Sequence, residues 1–155
     1  MRRSIEKISL KGVAPGRLLR LKPDDPRVLD THALITVSTL LPPPEKIGEL
    51  EKHLEQLYLG NCVGNIKICC LADHHGAPRP SMPEDKAALN AAVKAFDRLN
   101  SKYGGGFILA VRRRTYSKTQ NEFTGKERKR GAITDLVAAI KGDGRAFVCL
   151  HGDRA

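Results

Sequence analysis

The chain has 155 residues, 41% of them apolar and 28% charged, with a formal net charge of +10. That length accommodates one domain with a real core, and no apolar run approaches the roughly 18–20 residues of a membrane span. The N-terminal Met-Arg-Arg-Ser-Ile-Glu-Lys has no apolar stretch behind it, so no secretory signal is expected there. The charge calls for an anionic partner: nucleic acid, anionic lipid or nucleotide phosphate.

Residues 1–31 are basic, contain prolines and lack periodicity, and are expected to form a peripheral arm or linker ahead of an α/β domain over 32–155. Ala33 to Leu41 is a β-branched apolar run, as expected of a strand buried on both faces. Pro42-Pro43-Pro44 ends it. Ile47, Leu50, Leu54, Leu57 and Tyr58 then follow helical spacing, closed by Gly60. Asn65 to Asp73 predicts a second strand, with Cys69 and Cys70 on opposite faces. A loop from His74 to Met82 leads to a helix opened by Pro83-Glu84-Asp85, with Leu89, Val93, Phe96 and Leu99 on one face. Gly104 to Gly106 stop that helix. Phe107 to Val111 is a third strand, and about Lys129 to Lys141 a third helix with Ile133, Leu136, Val137 and Ile140 at i, i+3, i+4, i+7. Arg145 to Leu150 reads as a fourth strand. Strands alternating with helices imply right-handed crossovers and a three-layer α/β/α fold with a mostly parallel sheet.

Ligands of such sheets sit at the carboxyl ends of the strands. Here those ends are Thr39–Pro42, Asp73–Gly76, Arg112–Arg114 and His151–Asp153. Between the third strand and third helix lies a basic stretch, Arg112 to Arg130, with eight Lys or Arg residues. A basic loop before a helix N-terminus is suited to phosphate. Thr124-Gly-Lys-Glu-Arg-Lys-Arg-Gly131 is not a P-loop, since no Ser or Thr follows its Lys and the first Gly is out of place. Its cations can still clamp a diphosphate. Tyr116 and Phe123 among the cations keep nucleic-acid stacking open, and a non-catalytic module binding nucleic acid or another polyanion is the alternative reading. A fold with no ligand is a third. Asp73 at a strand end suits either a ribose or base hydroxyl, or a turn cap. Adjacent His74 and His75 cannot face one metal together from a regular strand. The four cysteines form no C-x-x-C pair and read as buried apolar residues.

Several segments, in order, resemble the glycosyltransferase domain of the cyclic β-1,2-glucan synthase family. They are Thr36-Val-Ser-Thr-Leu-Leu41, Leu54-Glu-Gln-Leu-Tyr-Leu-Gly-Asn61, Leu71-Ala-Asp73, Met82-Pro-Glu-Asp85, Leu99-Asn-Ser-Lys-Tyr-Gly104 and Gly125-Lys-Glu-Arg-Lys-Arg-Gly131. The resemblance implies the Rossmann-like, nucleotide-binding half of a GT-A type fold, a UDP-glucose or UDP ligand, and inverting transfer in the full enzyme. It maps nucleotide binding onto Thr39, Asp73, Arg128, Lys129 and Arg130, with the cations near the diphosphate; Arg112, at the end of the third strand, is expected to join them as a binding residue. It implies Mg or Mn in the full-length enzyme, held by a D-x-D motif that these segments precede. No cofactor and no catalytic residue is assigned within these residues, so the 155-residue chain is expected to be inactive alone. The remainder of the glycosyltransferase domain is then a partner, self-association through an exposed sheet edge is a further expectation, and the location is cytoplasmic, on the cytosolic side of an inner-membrane protein. Two departures stand out: Ala132 where the family pattern has Lys, and Val137 where it has Asn.

Overall fold

The computed structural model describes residues 25–29, 31–61 and 65–152. The predicted arm over 1–31, Cys62 and Asp153 therefore lie wholly or largely outside the described residues. The chain divides into two units, Met1–Asp30 and Thr31–Ala155. In the first, a single helical turn, α1 (Pro26–Leu29), is preceded by Asp25, whose carboxylate accepts from the Arg27 backbone and guanidinium.

The second unit holds β1 (Ala33–Leu40), a 3-10 turn at Pro44–Lys46, α2 (Ile47–Gly60), β2 (Ile66–Asp73), α3 (Pro83–Tyr103) and β3 (Phe107–Arg112). A hairpin of β4 (Thr115–Ser117) and β5 (Glu122–Thr124) follows, then α4 (Arg128–Ile140) and β6 (Phe147–Gly152). The main sheet runs β1-β2-β3-β6, with β1, β2 and β3 parallel.

Three features of the strands depart from the sequence reading, and in α4 Ile133, Val137 and Ile140 of the predicted apolar face are exposed. First, β6 is antiparallel to β3, with Phe147 opposite Arg112 and Gly152 opposite Ile108. The link after α4 returns the chain to the carboxyl end of β3, where Arg113 donates its backbone N–H to Ala146 at 2.8 Å. His151 and Gly152 consequently lie at the amino end of β3, away from the strand ends that predicted them as part of a ligand site. Second, β1 is an outer strand whose residues are at most half-buried, while β2 and β3 are central. A β-branched run satisfies either position, so composition does not separate them. Third, part of the basic loop is a β-hairpin, registered by Tyr116 opposite Phe123 with rings 5.3 Å apart.

Helices cover both faces of the sheet. One core layer packs Ile47 and Leu54 of α2 and Ala88, Ala92, Ala95, Phe96 and Leu99 of α3 against Ile68, Cys70, Phe107, Leu109 and Val111. The other packs Ala132 and Leu136 of α4 against Cys69, Leu71, Ala110 and Phe147. Cys69 and Cys70 thus face opposite layers, as their adjacency in a strand requires. Burial pushes both thiols up to about 12, leaving them as core filler rather than nucleophiles. The face α3 buries is Ala88, Ala92, Ala95, Phe96 and Leu99, with Leu89 and Val93 only partly buried. Small side chains let the helix axis approach the sheet closely. Gly104, at φ 73, ends α3, and the Asn100 carboxamide then makes two 3.0 Å hydrogen bonds with the Phe107 backbone, fixing where β3 begins. Among the described residues no helix is long and apolar enough to cross a membrane.

Candidate functional site

A cleft of about 410 Å3 opens at the carboxyl ends of β1 and β2. Ser38, Thr39 and Leu40 supply one wall, Asp73, His74 and Gly76 the floor, Glu122 and Thr124 of the hairpin another wall, and Gly125, Arg128 and Lys129 the mouth at the N-terminus of α4. Thr39, Asp73, Arg128 and Lys129, named from sequence as binding residues, therefore line one cavity. Arg130 does not line it; its guanidinium is exposed and lies 3.8 Å from Glu127.

Arg112 lies beneath the cleft rather than in it, and is 2% exposed. Its Nε and Nη2 donate to the two Asp73 carboxylate oxygens at 2.7 Å each. Nη1 donates to Asp135 at 2.8 Å and to the Lys126 carbonyl at 3.0 Å, and Nη2 also donates to the Arg128 carbonyl at 3.0 Å. All five guanidinium donors are used. Burial works against the charge, but the bonds to Asp73 and Asp135 outweigh it and hold the pKa above its ordinary value. Arg112 thus straps the start of α4 to the end of β2.

That start has an unusual backbone. Glu127 and Arg128 adopt left-handed φ values of 53 and 45, a region that costs non-glycine residues about 1–2 kcal/mol each. The turn also demands glycine on either side. A Cβ at Gly125 would lie 2.5 Å from Asp73 Oδ2 and 2.7 Å from Arg112 Nη2, and one at Gly131 would lie 2.0 Å from the Lys126 carbonyl oxygen. The Gly-x5-Gly frame around Lys-Glu-Arg-Lys-Arg is therefore steric, and it holds the first turn of α4 with its N–H groups and two cations at the cleft. Strain held in place by surrounding structure is a feature of ligand sites.

A second buried arginine braces the adjoining loop. Arg114 donates to both Asp85 oxygens, at 2.5 and 2.9 Å, and to the His75 carbonyl at 2.6 Å. Asp85 also accepts the Met82 backbone N–H at 2.7 Å, capping α3. His74 Nδ1 lies 3.4 Å from the same carboxylate. Burial is the largest influence on His74 and lowers its pKa below 6.5, with Asp85 opposing. In the window below 6.5 the unfolded chain binds more protons at this site than the folded one, so stability falls as pH falls through it. His74→Asn keeps a donor near Asp85 and removes the titration; urea midpoints across that window should fall for the native chain and fall less steeply for the variant. Parallel slopes would refute the assignment.

Arg112 and Arg114 point inward and only Arg113 of the triplet is exposed. Sequence reasoning placed all three at a strand end as cations for an anionic ligand; strand alternation running past Val111 was the signal that two of them turn inward. The Asp85 and Asp135 partnerships and the Glu122 wall had no sequence signal at all. The described residues do not fit a divalent metal: no group of three or more His, Cys, Asp or Glu side chains gathers among them, and the charge of Asp73 is already matched by the Arg112 guanidinium.

No family model matches the chain. It is 30% identical over 133 residues to the cyclic beta-(1,2)-glucan synthase NdvB of Rhizobium meliloti (strain 1021), a match taking in 83% of this chain. The chain spans only 5% of that protein's length. The similarity is to a small segment of a much larger enzyme.

Proposed function

We propose that the cleft binds the nucleotide part of a nucleotide sugar, UDP-glucose, in the manner of one half of a GT-A type glucosyltransferase domain. The observation that carries this reading is the convergence of Thr39, Asp73, Arg128 and Lys129 on one cavity at strand ends and a helix N-terminus. The 30% identity to a glucan synthase supports the ligand class. Asp73 is oriented by Arg112 to receive a hydroxyl or base N–H at its remaining lone pairs, and the first turn of α4 with Arg128 and Lys129 receives the diphosphate. The reading is of binding without turnover, because the resemblance places the metal-holding D-x-D outside the matched segments. The rest of the glycosyltransferase domain would supply it.

Calorimetric titration with UDP tests this. The native chain should bind saturably, and Arg128→Ala with Lys129→Ala should weaken binding roughly tenfold while leaving the melting temperature nearly unchanged, since both side chains are exposed. An unchanged affinity in the double variant, or no saturable binding by the native chain, would refute it. The rival polyanion reading rests on the exposure of Arg113, Lys118, Lys126 and Tyr116. It would be favoured by oligonucleotide binding that collapses with salt in the absence of any response to UDP.

A further inference from the structure

We propose that Glu122 is a specificity-determining residue of the cleft, accepting hydrogen bonds from a vicinal diol on the ligand's sugar and so fixing which way round the ligand lies. This rests on the nucleotide-sugar reading above and adds a residue that neither the sequence motifs nor the resemblance named.

The placement of Glu122 is built in. It opens β5, where Tyr116 and Phe123 pack against each other as a cross-strand pair. Alternation along β5 sends Glu122 and Thr124 to the other face, and both line the cleft. Two backbone hydrogen bonds between Phe123 and Ala77, at 2.8 and 3.0 Å, clamp β5 over the loop after β2. The Glu122 carboxylate then lies directly against Gly76, where a Cβ would come within 2.5–2.6 Å of its Oε1, Cδ and Oε2. A Cβ at position 76 would displace the carboxylate, so glycine there leaves its present place open.

The carboxylate is also uncommitted. Among the described residues none donates a hydrogen bond or forms an ion pair to it, although Arg128 and Lys129 line the same cavity. The other acid of the cleft, Asp73, has both oxygens engaged by Arg112. The cavity is therefore bipolar, with a free carboxylate on the hairpin wall and two cations with a helix N-terminus at the mouth. A ligand that satisfies both ends has an anionic group for the cations and uncharged hydroxyl donors for Glu122. A sugar phosphate has both, and a vicinal diol offers two O–H donors at the spacing of two carboxylate oxygens. A phosphate placed at the Glu122 wall would meet like charge, so the acid enforces one orientation.

The test compares the native chain, Glu122→Gln and Glu122→Ala in calorimetric titrations with UDP-glucose, UDP and inorganic pyrophosphate. Glu122→Gln keeps the side chain's shape, and melting curves verify the fold. The expected result is roughly tenfold weaker binding of the sugar-bearing ligand in both variants, with pyrophosphate bound as well as before or better. Loss for UDP and UDP-glucose alike assigns the diol to the ribose, and loss for UDP-glucose alone assigns it to the hexose. Equal losses for UDP-glucose and pyrophosphate, or no loss with any ligand, would overturn this inference while leaving the nucleotide-sugar reading intact. A native chain that binds none of the three overturns both.

Discussion

Arg112→Ala should cost the fold about 3–5 kcal/mol, the range for removing one partner of a buried ion pair. The cost arises from what remains. Asp73 and Asp135 lose their counter-charge, and the carbonyls of Lys126 and Arg128 lose their donors, in a site where the missing side chain was 2% exposed. For a chain of this length each kcal/mol moves the melting midpoint by about 2–4 °C, so a fall of about 10 °C is expected. Arg112→Lys should recover little of it, because an ammonium cannot serve Asp73 in a fork while reaching two carbonyls and Asp135. UDP binding should fail along with stability, since the same five hydrogen bonds hold the mouth of the cleft. Thermal and urea unfolding read the first effect and calorimetry at low temperature the second. A variant within about 1 kcal/mol of native stability would show that the node is not what holds α4 in place.

Phe107→Ala should be as damaging by a different route. Phe107 is fully buried where β3 begins, and its ring lies 4.8 Å from Tyr58 of α2 and 5.9 Å from Tyr103 of α3. The loss of transfer energy and the cavity left behind amount to about 3–5 kcal/mol, with aromatic pairing included in that figure's upper part. Because Phe107 is at the amino end of the strand and the cleft at the carboxyl end, affinity for UDP at temperatures where the variant remains folded should be unchanged. The two variants together separate the scaffold from the site: both melt early, and only Arg112→Ala binds poorly. Equal binding defects in the two would mean the cleft is coupled to the whole core.

The parts of this fold that sequence periodicity reports are those where one residue's neighbours determine its environment. Helical spacing marked Leu54, Phe96 and Leu136, although Ile133, Val137 and Ile140 of the same predicted face are exposed, and the strand β2 was plain from its run of apolar residues ending in Asp73. What periodicity does not carry is the sense of the last strand. Phe147 to Gly152 looks the same parallel or antiparallel, and its direction is set by where the chain re-enters after α4. Nor does it carry the difference between a cation for a ligand and a cation for a carboxylate. Arg112, Arg113 and Arg114 are chemically identical in the sequence, and strand alternation plus two distant acids, Asp73 and Asp85, decide that the outer pair serve the interior. The cleft-lining residues named beforehand were Thr39 and Asp73 at strand ends and Arg128 and Lys129 beside a helix start. Glu122 required the hairpin, and the hairpin was hidden inside what read as a charged loop.

The left-handed turn at Glu127 and Arg128 bears on any effort to improve this protein. A search guided by thermal stability alone would arrive at Arg128→Gly, since glycine relieves a φ of 45 and should gain about 1 kcal/mol. The same change deletes a cation from the cleft mouth. Selection for robustness and selection for the cleft's charge would then pull one codon in opposite directions, and a library screened only by heat would be enriched in molecules that had lost a cleft cation.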